Sequence, residues 1–183
     1  LGADYYSHQI KYYTTTTMTA DEIHQLGLSE VARIRSEMDT VKNEVGFEGN
    51  LNEFFEHVRT KESLMPFTER SQVIAFYDSI YNVMKPQIDK LFGKQPVTAF
   101  EVRRTQPFRE KSAAANYSPG SLDGTRPGIF YTPIPNVETY NVFDKESLFL
   151  HEAIPGHHFQ IALQQENEEL PSFRKTLWYS AYG

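Results

Sequence analysis

Three of the chain's six histidines fall within eight residues and stand beside a glutamate, in the segment 151–158, which reads HEAIPGHH. Neutral imidazoles are good zinc ligands, and a neighbouring carboxylate can take a proton from water that the metal activates. This combination indicates metal-dependent hydrolysis of a peptide or related amide bond.

The spacing differs from the H-E-x-x-H arrangement, in which two histidines four residues apart share one helix face. Here the fourth residue after His151 is Pro155, which cannot ligate a metal. In a regular helix, His157 would lie about 120° around the axis from His151, and His158 about 10.5 Å further along it. An uninterrupted helix would therefore leave the histidines as ordinary structural residues.

Pro155 and Gly156 suggest how the histidines could meet. Proline has no N–H for the carbonyl of His151, and glycine relaxes the backbone beside it. We therefore predict an irregular helix around Pro155, with a bulge or looser turn that brings His157 back beside His151. His158 is the alternative second ligand.

The longer segment HEAIPGHHFQ resembles the signature of a bacterial family known as domain of unknown function 885, which is grouped with the zincin-like metallopeptidases. Further blocks resemble the same family in the same order, at 12–16, 22–28, 30–34 and 123–128. The resemblance implies a zincin-like fold and one zinc ion. It also implies that His151 and His157 are ligands and that Glu152 is the general base.

The resemblance further implies a third ligand, a glutamate in a Glu-Gly-Trp-Ala-Leu-Tyr block that would lie beyond Gly183. In the family this block follows a helix that contains a pair similar to Trp178-Tyr179. We therefore expect residues 1–183 to be part of one zincin-like catalytic domain, truncated at both ends, with the remainder of its own polypeptide as a partner. Alone, the fragment should bind zinc weakly and be inactive.

Substrate contacts are predicted on strands and loops near the motif. Pro127 and Pro133 bracket a short apolar segment, which is typical of an edge strand to which a substrate backbone could pair. The residues of this segment proposed to bind substrate are Gly128, Ile129, Phe130 and Tyr131.

Two further side chains are candidates for substrate binding. Arg103 could bind a substrate carboxylate, although an ion pair within the protein is the more common role of such an arginine. Tyr117, like Tyr131, could donate to a developing oxyanion, although core packing is the alternative for both.

The elements that would position these residues are mainly helical. Thr19 and Glu22 have capping-box spacing at the start of a helical region over 19–45, in which Gly27 should interrupt. Further helices are predicted over 51–58, from Thr68 to a kink or end at Pro86, over 144–166, and from Pro171 toward Tyr182. Strands are predicted over 97–104 and 127–133, with a loop over 112–126. The fold class is mainly α with a small β-sheet (α+β).

Composition limits the remaining possibilities. The 183 residues are 39% hydrophobic and 14% aromatic, which argues against disorder, and the net charge of -6 without a basic stretch argues against nucleic-acid binding. No apolar run is long enough for a transmembrane segment. Resemblance to a family with many exported lipoproteins favours the cell envelope or periplasm. The alternatives to a peptidase are a non-catalytic binding module and a protein with a purely structural metal.

Overall fold

A computed structural model describes residues 1–176 of the chain, and these residues form two units, 1–57 and 58–176. The helices are α1 (Gly2–Thr14), α2 (Ala20–Glu44), α3 (Leu51–Thr60), α4 (Arg70–Leu91), α5 (Lys145–Glu152) and α6 (Gly156–Glu166). The strands are β1 (Phe100–Arg104), β2 (Asn116–Ser118) and β3 (Gly128–Thr132). The predicted α+β class, mainly helical with a small sheet, is confirmed.

Helix α2 begins with the predicted capping box. The Thr19 hydroxyl accepts a hydrogen bond from the Glu22 amide at 3.2 Å, and the Glu22 carboxylate accepts from the Thr19 amide at 2.7 Å. The predicted interruption at Gly27 is wrong, because α2 continues to Glu44. A single glycine costs a helix only about 1 kcal/mol relative to alanine, which is too little to end a helix of this length.

Helix α4 supplies much of the core of the second unit. It buries Val73, Tyr77, Ile80 and Ile88, and it runs past Pro86 to Leu91. Pro86 therefore does not end the helix. The final predicted helix, after Pro171, is represented by a 3₁₀ turn at Ser172–Lys175, and its remainder lies outside the described residues.

The three strands form one sheet in the order β1-β3-β2. Strand β3 runs parallel to β1 and antiparallel to β2, so it is the central strand. The prediction that 128–132 is an edge strand is wrong. Pro127 and Pro133 lie just outside the paired residues, where they remove no donor from the ladder, and β2 arises within the segment predicted to be a loop.

The core of the second unit lies between α4, α5 and this sheet. The ring of Tyr77 lies 5.1 Å from that of Phe130 and 5.8 Å from that of Phe149. The Tyr77 hydroxyl is 2.7 Å from the hydroxyl of Tyr140, which is in turn 2.9 Å from that of Thr132. Burial, together with the neighbouring Tyr140, raises the pKa of Tyr77. The hydroxyls thus satisfy one another inside an aromatic core.

A buried ion pair fixes the segment that follows β1. Arg104 donates two hydrogen bonds of 2.6 Å to Glu110, whose side chain is only 4% exposed. Glu110 also accepts from the Ile134 amide at 3.0 Å, just beyond β3. The pair therefore ties the 105–113 segment to both neighbouring strands.

No helix within residues 1–176 is long and apolar enough to cross a membrane.

Removing the charge of Glu110 tests how much its ion pair with Arg104 stabilises the fold. We expect Glu110→Gln to lower the free energy of unfolding by about 2 kcal/mol, because the buried side chain loses charge-assisted hydrogen bonds to Arg104, which is itself partly exposed. Urea denaturation followed by circular dichroism measures the change. The matched control is Glu101→Gln, which removes an exposed pair with Arg103 in the same sheet and should have a much smaller effect. Equal losses in both variants would contradict the prediction.

The same pair predicts how stability changes with pH. Hydrogen bonds from Arg104 lower the pKa of Glu110 in the folded protein. A carboxylate with a lowered folded pKa stabilises the fold fully above its unfolded pKa, about 4.3, and loses this contribution as the pH falls through the folded value. The difference in stability between wild type and Glu110→Gln should therefore be constant near neutrality and shrink below about pH 4.3. A difference that grows in acid would contradict this sign.

Candidate functional site

The HEAIPGHH segment forms two helices separated by a break. Helix α5 ends at Glu152, α6 begins at Gly156, and Ala153 between them has φ -109° and ψ -100°, far from helical values. The Ile154–Pro155 peptide bond is cis. The predicted irregularity around Pro155 is confirmed, although it is a complete break rather than a bulge within one helix.

Gly156 allows the two helices to touch. A Cβ atom at this position would overlap the carbonyl oxygens of His151 and Leu150, so the first turn of α6 lies directly against the last turn of α5. The sequence prediction gave Gly156 a different role, that of relaxing the backbone. Its φ is not in the left-handed region, and its requirement is for space.

This close approach brings three of the predicted residues together. The rings of His151 and His157 lie 4.8 Å apart at an interplanar angle of 85°. Potential ligand atoms of His151, Glu152 and His157 all lie within 4.8 Å of one another. His151 is exposed, whereas Glu152 and His157 are half-buried. The group can therefore be reached from solvent on one side and is supported by the protein on the other.

The carboxylate of Glu152 is held by the sheet. Its Oε2 accepts a hydrogen bond of 3.1 Å from the backbone amide of Tyr117, in β2. Strand β2 is only three residues long and lies within the segment predicted to be a loop, so this contact was missed at the level of sequence. Tyr117 was predicted to act through its phenol, but its backbone is what contacts the proposed general base.

His158 lies apart from the three-residue group. It is 3% exposed, its Nδ1 is 2.9 Å from the Tyr117 hydroxyl, and its ring packs against Phe100 at 5.1 Å. Burial lowers the pKa of His158. The structure therefore places His157, and not the alternative His158, beside His151.

Gly128 makes room for the contact between His158 and Tyr117. A Cβ atom on Gly128 would overlap the Tyr117 hydroxyl and lie 2.8 Å from Nδ1 of His158. Gly128 was predicted to bind substrate, but its closest neighbours are these two side chains. The Tyr117 ring also lies nearly parallel to that of His157, at 6.5 Å and 21°. Tyr117 thus contacts the candidate site through both its backbone and its side chain.

The other predicted substrate residues are differently placed. Ile129 and Phe130 are buried, and both edges of β3 are already paired, so a substrate cannot add to this strand as predicted. Arg103 donates to Glu101 at 2.7 Å, which is the ion pair considered as its alternative role. Tyr131 is half-buried beside Arg103 in the register of the sheet.

The far end of α6 is also anchored. Glu166 accepts hydrogen bonds from the amides of Val97 and Thr98 at 2.8 to 3.0 Å, and from the Thr98 hydroxyl at 2.7 Å. These bonds tie the last turn of α6 to the segment that leads into β1. Since Gly156 fixes its first turn, the helix that carries His157 is held at both ends.

A substitution at Gly156 tests the close approach. We expect Gly156→Ala to destabilise the protein by roughly 3 kcal/mol, at the upper end for overpacking, because the new methyl group meets rigid backbone. Gly93→Ala is the control, since nothing lies within 4 Å of the position that its Cβ would take. Thermal and urea denaturation measure both variants. Wild-type stability in Gly156→Ala would show that the helices do not need this contact.

Comparison with known proteins finds a solved structure of similar fold and a protein family that matches the chain. A solved structure described as "the putative lipoprotein from Colwellia psychrerythraea" superposes with a TM-score of 0.90 at 27% sequence identity, over 99% of this chain and 32% of that one. The chain therefore spans about a third of the length of that protein. No protein of curated function matches it in sequence. The family of bacterial proteins of unknown function designated DUF885 matches residues 1–183, and the chain belongs to this family.

Proposed function

We propose that this chain carries the metal-binding helices and the general base of a zincin-like, zinc-dependent metallopeptidase that hydrolyses peptide or related amide bonds. The observation that carries the proposal is the grouping of His151, Glu152 and His157 within 4.8 Å. Gly156 and the break before α6 create this grouping from a sequence spacing that no regular helix would allow.

The donor set suits zinc. Imidazole nitrogens favour zinc and other transition metals, whereas magnesium and calcium favour oxygen ligands. His151 and His157 would be the protein ligands in this chain, and the proposed third ligand is the glutamate expected beyond Gly183. The exposure of His151 leaves the site open to water, as catalytic zinc sites require and closed structural sites do not.

Glu152 is placed to move protons. A bound zinc ion would polarise the scissile carbonyl and make water more acidic. The Tyr117 amide donates to Oε2 of Glu152. Oε1 has no hydrogen-bond partner within residues 1–176, so it could accept a proton from water and pass it to the leaving amine. The backbone donor also restricts rotation of the carboxylate, so that Oε1 keeps a fixed direction.

The substrate is proposed to lie beside β2. Within residues 1–176, β2 pairs with β3 alone, so its other edge faces away from the sheet, and this is the edge from which Tyr117 reaches Glu152. An extended peptide alongside β2 would bring a backbone carbonyl to the general base. The similarity to a protein described as a lipoprotein favours the cell envelope as its location.

Metal analysis and histidine variants test the proposal. After dialysis of the full-length protein, which would include the proposed third ligand, we expect about one zinc per chain in the wild type and a large loss in His151→Ala and His157→Ala, because each removes a ligand. His158→Gln, checked for folding by circular dichroism, should retain zinc, and so should His8→Ala, a histidine of α1 outside the group. Zinc retained in both ligand variants would contradict the ligand assignment.

A second measurement separates catalysis from structural metal binding. Glu152→Gln should keep its zinc and lose at least about a hundredfold in turnover of a peptide mixture followed by mass spectrometry, because it removes the general base. Hydrolysis at the wild-type rate in this variant would contradict the proposed mechanism. A zinc-loaded protein that hydrolyses no peptide would instead indicate a structural metal or a binding module.

A further inference from the structure

A polar cavity of about 230 Å³ lies against the sheet, and its lining includes Asn116, the residue before Tyr117. Tyr117 and Phe130 point their side chains toward the helices, so the alternating residues Asn116, Ser118 and Tyr131 face the other side. The cavity is on that side. Its polar lining consists of Thr105, Gln106, Arg109, Asn116, Ser118 and Tyr131.

Arg109 supplies a positive charge without an internal partner. Within residues 1–176, no carboxylate or hydrogen-bond acceptor contacts its guanidinium, whereas Arg103 and Arg104 on the neighbouring strand are both paired. No acidic residue of this described part lines the cavity. The charge of Arg109 is therefore available to an anion that enters.

The backbone around Arg109 is firmly held. Its amide donates to the carbonyl of Gln106 at 2.8 Å, and its own carbonyl accepts from the amides of Ser112 and Ala113 at 3.0 and 2.9 Å. The next residue, Glu110, forms the buried pair with Arg104. The backbone hydrogen bonds therefore hold the Cα of Arg109 beside the cavity, and its exposed side chain can turn toward an anion there.

Thr105 provides an independent indication of a binding site. It is 4% exposed, and its hydroxyl is a buried side-chain group without a hydrogen-bond partner in the described part of the chain. Buried polar groups are nearly always hydrogen-bonded, so an unsatisfied one at a cavity wall points to a partner supplied by a ligand.

The cavity is close to the proposed general base. Asn116 lines the cavity and is followed in the sequence by Tyr117, whose amide donates a hydrogen bond to Glu152. Side chains of an extended peptide alternate between the two sides of a sheet. A peptide alongside β2 can therefore place one group in the cavity while a neighbouring peptide bond lies at Glu152.

We propose that this cavity binds a carboxylate of the substrate, with the Arg109 guanidinium as its charged partner. Naming the carboxylate as part of a substrate rests on the proposed peptidase function, whereas the preference of the cavity for a carboxylate does not. Arginine binds carboxylates with two parallel hydrogen bonds, and the hydroxyl of Thr105 and amide of Asn116 add neutral donors. The carboxylate is either the C-terminus of a peptide or an acidic side chain.

Peptide binding to the Glu152→Gln protein tests this without hydrolysis. Isothermal titration would compare four N-acetylated tripeptides: trialanine with a free C-terminus, its C-terminal amide, Ala-Asp-Ala amide and Ala-Asn-Ala amide. We expect one carboxylate peptide to bind at least about tenfold more tightly than its uncharged counterpart, as a charge-assisted pair predicts. A preference for the free C-terminus identifies the terminal carboxylate, and a preference for Asp over Asn identifies the side chain.

Variants that also carry Glu152→Gln test whether Arg109 causes the preference for a carboxylate. Arg109→Gln should abolish the preference, Arg109→Lys should keep part of it, and Lys111→Gln should keep all of it. Lys111 is the matched control, because it lies in the same turn with the same charge but outside the cavity lining. The proposal is overturned if no peptide binds, if carboxylate and amide bind equally, or if the preference survives Arg109→Gln.

Zinc content and hydrolysis of the same peptides by the wild type are measured separately. A carboxylate preference that depends on Arg109, without zinc or hydrolysis, would support the cavity and refute the peptidase. Zinc-dependent hydrolysis without any carboxylate preference would support the peptidase and refute the carboxylate-binding cavity. The two proposals therefore fail by different results.

Discussion

The contact between Gly156 and the carbonyl of His151 is the constraint on which the candidate site depends. Two histidines six residues apart diverge on a regular helix, and they meet here because α6 starts against the last turn of α5. Only a residue without a side chain fits that contact. The break between the helices thus brings the two imidazoles close together. Hydrogen bonds to Glu166 hold the far end of α6 in place.

The sheet contributes as much to the site as the helices do. Strand β2 is short, yet Tyr117 connects it to both helices, through an amide to Glu152 and a hydroxyl to His158. Gly128 on the central strand leaves the space for that second bond. His158, adjacent in sequence to a proposed ligand, is therefore a positioning residue: its buried ring fixes Tyr117, and Tyr117 fixes the proposed base.

Periodic and capping signals predicted α2 to α6 in outline, because they depend on neighbours within one or two turns, but α1 (Gly2–Thr14) was not predicted. The capping box of Thr19 and the limits of the 144–166 region were found in this way. The sheet was predicted less well, because strand order is a long-range property. Nothing local marks 116–118 as a strand, and without it 128–132 was given a free edge that β2 occupies.

In the candidate site, too, features that are local in the sequence were predicted, and contacts between distant residues were missed. His151, Glu152 and His157 were identified because a rare cluster of residue types is visible in one segment. The hydrogen bond from the Tyr117 amide to Glu152 was not predicted, because the two residues are 35 positions apart in the sequence. Arg109, the proposed carboxylate partner, was not predicted, because an arginine in a polar turn is ordinary in sequence. Among residues 1–176, Glu101 and Glu110 pair with Arg103 and Arg104, and only the structure shows that no carboxylate pairs with Arg109. What distinguishes a binding arginine from a structural one is therefore the absence of a carboxylate within reach, which the fold decides.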